Sequence, residues 1–193
     1  MPTSAVSDVS LQRSSSGEFV EVVLSSYEHE HAAIVGFRRS LANLGEEDAG
    51  HYKDKEKQEH NFIRGPISAI CELAVSKYLN QYWPAGVWHK TERYLYGGKA
   101  DVGVDVEVRS FRTMAGPTIR QSDVRSNRIV WGCRAIDRYG FRVAIYGCMS
   151  ARYAWESGEY RLHKYDAEKD PCIIIPAANL YKPWLGGTKP WEN

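Results

Sequence analysis

The sequence predicts a mixed α/β domain, with a central sheet flanked by helices, and three observations carry that expectation. Two long segments with helical spacing come first, at about 26–44 and 62–82. Strand-like runs dominate from residue 87 onward, at 87–96, 100–110, 128–134 and 141–148. A short helix at 149–156 and one more apolar run, CIIIP at 172–176, follow them. Helices ahead of clustered strands bury their apolar stripes by covering a sheet.

Residues 1–17 are rich in Ser and poor in large apolar residues, and EFVEVVL at 18–24 fits one short strand. Residues 1–24 therefore read as an N-terminal tail or edge segment, 25–180 as a single domain, and 181–193 as a C-terminal tail. Ser25 with Glu28 three residues on forms a capping box for the first helix. Ala33, Ile34, Phe37 and Leu41 give that helix an apolar stripe, and Gly45 stops it. GEEDAGHYKDKEKQEH, at 45–60, is almost wholly polar and reads as a solvated loop. Pro66 suits the first turn of the second helix, whose stripe is Ile67, Ile70, Ala74, Val75 and Tyr78. Pro84 and Gly86 end it, and Gly97-Gly98 closes the strand at 87–96. Asp137–Gly140 reads as the turn between the last two long strands.

Composition excludes little. The chain is 43% hydrophobic and 25% charged, as ordinary globular domains are. The formal net charge is +1, so any basic surface must come from uneven distribution. Of the four cysteines, none stands in a Cys-x-x-Cys pair or at zinc-ligand spacing from a His, which points to reduced thiols. No run approaches the ~20 apolar residues of a membrane span, nor a signal sequence. The expectation is a cytoplasmic protein with no membrane partner.

Ala100–Ser110, ADVGVDVEVRS, carries the chemistry. Val102, Val104, Val106 and Val108 alternate with Asp101, Gly103, Asp105, Glu107 and Arg109. A strand has period two, so one face is apolar and the other collects three carboxylates and a guanidinium. An edge strand with one wet face would alternate too. A face this acidic, ending in Arg, favours a cation between the acids. In one straight strand Asp101 and Glu107 would stand roughly 20 Å apart and could not share an ion. Gly103 permits a turn, and a three-residue connection at 103–105 would set Asp101 opposite Glu107. Asp105, roughly 6–7 Å along the strand from Glu107, is the alternative ligand and needs no turn. Hard divalent cations such as Mg²⁺ or Mn²⁺ favour such oxygen ligands. Arg109, two positions after Glu107, suits a phosphate.

These residues resemble the PD-(D/E)xK phosphodiesterase superfamily. The family pattern is an acid, a short interval, then acid, any residue, and Lys. Here it reads Asp101, then Glu107-Val108-Arg109, with Arg109 at the Lys position. GPISAICELAVSKYLNQYW is similar to the family's preceding helix, with Glu72 at its acidic position. The likeness spans about residues 60–150, and TIRQSD with RIVWGCRAIDRYGFRVAIYGCMS is similar to compact phage and environmental members. The resemblance implies a restriction-endonuclease-like fold and a Mg²⁺- or Mn²⁺-dependent deoxyribonuclease. Asp101, Glu107, Glu72 and the main-chain carbonyl of Val108 would hold the metal. Glu72, Asp101, Glu107 and Arg109 would form the catalytic set. Resolvase-like members are often dimers, which leaves a homodimer open.

Eight arginines lie between 109 and 142, opposed by Asp123 and Asp137, and lysine is absent from 100 to 163. Arginine clusters suit phosphate backbones, so DNA is the expected partner. Arg112, Arg120 and Arg125 lie nearest the acids. The alternative is a catalytically inactive DNA- or protein-binding module on the same fold, because Arg cannot readily accept a proton. An unrelated α/β protein with a wet acidic strand would leave Glu72, Asp101 and Glu107 apart in space.

Overall fold

Two helices lie on one face of a five-stranded mixed sheet, and a small second layer covers the other. The computed structural model describes residues 12–13, 19–42, 55–87, 99–112, 115–160 and 171–183. Strands β1 (Gln12–Arg13), β2 (Val20–Val23), β3 (Val106–Ser110), β5 (Ile129–Ala135) and β6 (Arg142–Ser150) form the sheet in the order β1-β2-β6-β5-β3. Only the β3–β5 pair is parallel; the other pairs are antiparallel. β4 (Thr118–Arg120) and β7 (Cys172–Ile174) pair antiparallel as a separate ribbon. The expected mixed α/β class is the class observed.

Among the described residues the α-helices are α1 (Ser26–Ala42), α2 (Lys55–Leu79), α3 (Gln121–Arg125) and α4 (Ala151–Glu156). α1 starts at the expected capping box. The Ser25 N–H donates to Glu28 Oε2 at 2.7 Å, and the Glu28 N–H donates to Ser25 Oγ at 3.3 Å. Its packing face is not the expected stripe. Ala32, Val35 and Gly36 are buried, whereas Ile34, Phe37 and Leu41 are nearly half exposed. The reason is a crossing through small residues. A Cβ on Gly36 would lie 2.3 Å from the carbonyl oxygen of Gly65, on α2. The two backbones touch there, and only the face without bulk can approach so closely.

α2 also departs from expectation. It begins at Lys55, inside the stretch expected as a polar loop, so Pro66 lies in its interior rather than its first turn. Proline there removes one helical hydrogen bond. Further along, Ala69–Glu72 and Ala74–Ser76 are all buried, so α2 is a central helix and not a half-wet one. Ile70, Cys71, Ala74, Val75 and Tyr78 pack on Val102, Val106, Val108, Trp131 and Cys133 of the sheet. On the opposite face Val130, Ala144, Tyr146 and Met149 pack on Ile119, Ile173, Ile175, Ala154 and Leu180.

The short strand expected at 18–24 is β2, which pairs with β6 and buries Val22, with Leu24 buried just after it. Tyr181, at the start of the expected C-terminal tail, exchanges two backbone hydrogen bonds of 2.9 Å with Cys148. Asp137 makes the expected turn: its carboxylate accepts the backbone N–H groups of Tyr139, Gly140, Phe141 and Arg142. The strand expected at 87–96, with its Gly97-Gly98 turn, lies outside the described residues apart from Val87. Among the described residues, no helix is long and apolar enough to cross a membrane.

Candidate active site

β3 is the edge of the described sheet, and its outer side is closed by its own preceding residues. Val102 and Val106 exchange two backbone hydrogen bonds, of 3.2 and 3.3 Å, across residues 103–105. Gly103 turns the chain at φ +58°, where a side chain would be strained and its Cβ would meet Gln81 Oε1 at 2.4 Å. Its N–H is held by the carbonyl of Tyr82 at 2.9 Å. This is the three-residue connection expected from Gly103, and it brings Asp101 level with Glu107. Beyond the bridge Asp101 replaces backbone with side chain: its Oδ2 accepts the Val108 N–H at 2.9 Å.

Val106 and Val108 enter the core beneath α2, which turns Glu107 and Arg109 toward the layer that holds α3. There Arg109 gathers the acids. Its Nη1 donates to Glu107 Oε1 and lies 3.9 Å from Asp101 Oδ2 and 3.5 Å from the Val108 carbonyl oxygen. Its Nη2 reaches both oxygens of Asp123, at 2.9 and 3.2 Å. Asp123, 4% exposed, also accepts the Arg120 N–H at 2.8 Å and so caps α3. Sequence reasoning missed Asp123, counting it only against the neighbouring arginines. The signal was there: an acid three residues after Arg120 can cap a short helix by bonding back to the N-cap N–H.

Glu72, 4% exposed on α2, stands on the other side of β3. Arg39 Nη1 donates to its Oε1 at 2.6 Å and Trp83 Nε1 to its Oε2 at 3.0 Å. It makes no bond to Asp101 or Glu107, but its charge reaches Asp101. Asp105 takes no part in the described ion pairs of the cluster; its carbonyl accepts the Ile129 N–H at the head of β5.

Charge explains the protonation of the group. Burial raises the Asp101 carboxyl to about 6, helped by the negative charge of Glu72 and opposed by Arg109. Burial likewise raises Glu107 to about 7; Arg109 opposes this, while Asp101 and Asp123 reinforce it. The Arg109 guanidinium, facing three acids, is held charged above its ordinary value. The four acids form their ion pairs with two guanidiniums, those of Arg39 and Arg109. Two carboxylates and a carbonyl short of positive charge are oxygen donors that suit a hard divalent cation. Among the described residues no group of three His, Cys, Asp or Glu side chains is gathered to hold a metal ion. Asp101, Glu107 and the Val108 carbonyl instead converge on Nη1 of Arg109, while Glu72 is held by Arg39 and Trp83.

The arginine run divides by environment. Arg112, Arg120 and Arg125 are exposed, the last two at the two ends of α3. Arg128 is buried and donates to the Val104 carbonyl at 2.6 Å, which ties the hairpin tip to β5. Arg142 pairs with Glu21 at 2.6 and 2.8 Å across the β2–β6 pair. The four cysteines are free and buried. Comparison with protein-family models, curated proteins and solved structures gives no match.

Proposed function

We propose that this chain is a metal-dependent deoxyribonuclease on a restriction-endonuclease-like scaffold, hydrolysing DNA phosphodiester bonds at the Asp101–Glu107 hairpin. One observation supports the reading: a tight turn at Gly103 brings two part-buried carboxylates and a main-chain carbonyl together at one edge of the sheet, around Nη1 of Arg109. A wet edge strand has no need of that arrangement.

Asp101, Glu107 and the Val108 carbonyl would hold Mg²⁺ or Mn²⁺, which when bound lowers the pKa of a coordinated water and offsets charge on the phosphate. Each residue of the chain has a part beside it. Glu107 and Asp101 orient the attacking water and, ionised, neutralise the cation. Glu72, anchored by Arg39 and Trp83, keeps Asp101 in a negative field and so strengthens cation binding there. Arg109 is always charged, so it binds the phosphate and does not act as a base. The exposed Arg112, with Arg120 and Arg125 at the two ends of α3, would hold the flanking DNA backbone.

A second reading draws on the ion pairs of Arg109. Its fork is engaged by Glu107 and Asp123, which is also how an inert DNA- or protein-binding module would hold its core together. Incubation with linear, single-stranded and four-way-junction DNA separates the two. Cutting that needs Mg²⁺ or Mn²⁺, stops with EDTA and is lost in Glu107→Gln supports the nuclease. DNA binding by wild type and Glu107→Gln alike, with no cutting of any substrate, supports the module.

A further inference from the structure

The oxygens offered to a cation already surround one, and it belongs to the chain. Nη1 of Arg109 bonds to Glu107 and lies 3.5 Å from the Val108 carbonyl and 3.9 Å from Asp101 Oδ2. Those are the three groups assigned above to the metal. The other end of the fork is held separately, by both oxygens of Asp123 on α3. Between them Nε is buried without an acceptor. A buried donor left unpaired is costly, so the guanidinium is gripped at its tips and unsatisfied at its root.

We propose that Arg109 is a resident counter-ion displaced from Glu107 when a divalent cation binds, and that Asp123 is the positioning residue that keeps the displaced guanidinium beside the site. The inference rests on the metal-site reading above. Two cations cannot share the same oxygens without strong repulsion. Arginine cannot resolve the conflict by losing its proton, so it must move. Asp123 sits on a different element from Glu107, so Nη2 can stay bound while Nη1 lets go. The freed edge of the fork then faces the place where a phosphate must lie. Lysine, a single point charge, could not hold Glu107 and Asp123 through separate nitrogens. That gives arginine a reason to stand here.

Titrating Mn²⁺ into the metal-free full chain by calorimetry, without DNA, tests both parts. Arg109→Met should bind Mn²⁺ roughly tenfold or more tightly than wild type, the scale of one lost ionic competitor. Asp123→Asn should bind several-fold more weakly, since Arg109 is left to Glu107 and Asp101. That loss should vanish in Arg109→Met/Asp123→Asn, because Asp123 acts through Arg109. An equal loss in the Arg109→Met background would mean that Asp123 contributes charge alone and would overturn its positioning role. Weaker or unchanged binding in Arg109→Met would overturn the counter-ion. Binding abolished by Glu107→Gln upholds the metal site whatever the other variants do, and no binding by wild type or Arg109→Met sinks site and proposal together. Should Arg109→Met fail to fold, wild type decides through the arginine Nε–H region of its ¹⁵N–¹H NMR spectrum, with Arg109→Lys used only for assignment. The Arg109 resonance, assigned by its absence in Arg109→Lys, should shift on adding Mg²⁺; a resonance unmoved at saturating Mg²⁺ would overturn the displacement.

Discussion

Asp101 and Glu107 hold their protons up to about 6 and about 7, well above the ~4 of free carboxyls, because burial opposes their charge. The folded chain therefore binds protons that the unfolded chain releases, and ionising the pair weakens the fold. With respect to these two groups, stability is highest below about pH 4 and declines as pH rises to about 7. Thermal melting of the metal-free protein across that window should show the decline, and Glu107→Gln should flatten it. A melting temperature that rises through the window in wild type, with no change in the variant, would contradict this assignment. Arg39→Met is the second residue-scale case. It leaves Glu72 buried with Trp83 as its remaining partner and should cost about 3 kcal/mol, read from the denaturant midpoint. The placement of Asp101 level with Glu107 was legible from Gly103 in an alternating strand, although alternation left a straight strand with Asp105 as the alternative. Asp123 was not, because its role depends on a contact between two elements that no local pattern encodes.

At the level of elements, the hairpin at 102–106 and the α1–α2 pair contrast. The hairpin could be read because one Gly between alternating valines leaves the chain few alternatives. Gly103→Ala should cost about 1–2 kcal/mol, the penalty of a side chain in left-handed backbone. It should reduce DNA cleavage more than that loss of stability explains, since Asp101 is carried by the turn. Equal loss of folded protein and of activity would show that the turn contributes stability alone. α1 was misread because apolar spacing marks Ile34, Phe37 and Leu41, whereas the crossing selects Ala32, Val35 and Gly36 for their small size. Periodicity reports where apolar groups lie and says nothing of how near a partner backbone must come. Pro66 misled for a related reason: tertiary packing carries α2 through a residue that local preference places at a helix start.

Across the whole molecule, Asp101 and Glu107 lie at the β3 edge of the described sheet, and Arg112, Arg120 and Arg125 are exposed. Each that touches a phosphate adds roughly 0.9 to the slope of log affinity against log salt. Replacing all three with Gln should therefore lower that slope by about 2–3, measured by fluorescence anisotropy on duplex DNA. An unchanged slope would move the polymer to another face. The α/β class followed from the order of elements, yet β4 and α3 were invisible and β7 showed only as the apolar run at 172–176, because pieces of three to five residues are stabilised by what they pack on.

The contact of Gly36 with Gly65 has a bearing on the site some distance along the same helices. Arg39 leaves α1 one turn after Gly36, and Glu72 leaves α2 two turns after Gly65. The two missing side chains thus act as a spacer, setting the height at which Arg39 rides above Glu72. A single methyl group at Gly36 would lift the whole of α1, lengthen the Arg39–Glu72 bridge, and loosen Asp101 through its neighbour's charge, without touching any acid in the site.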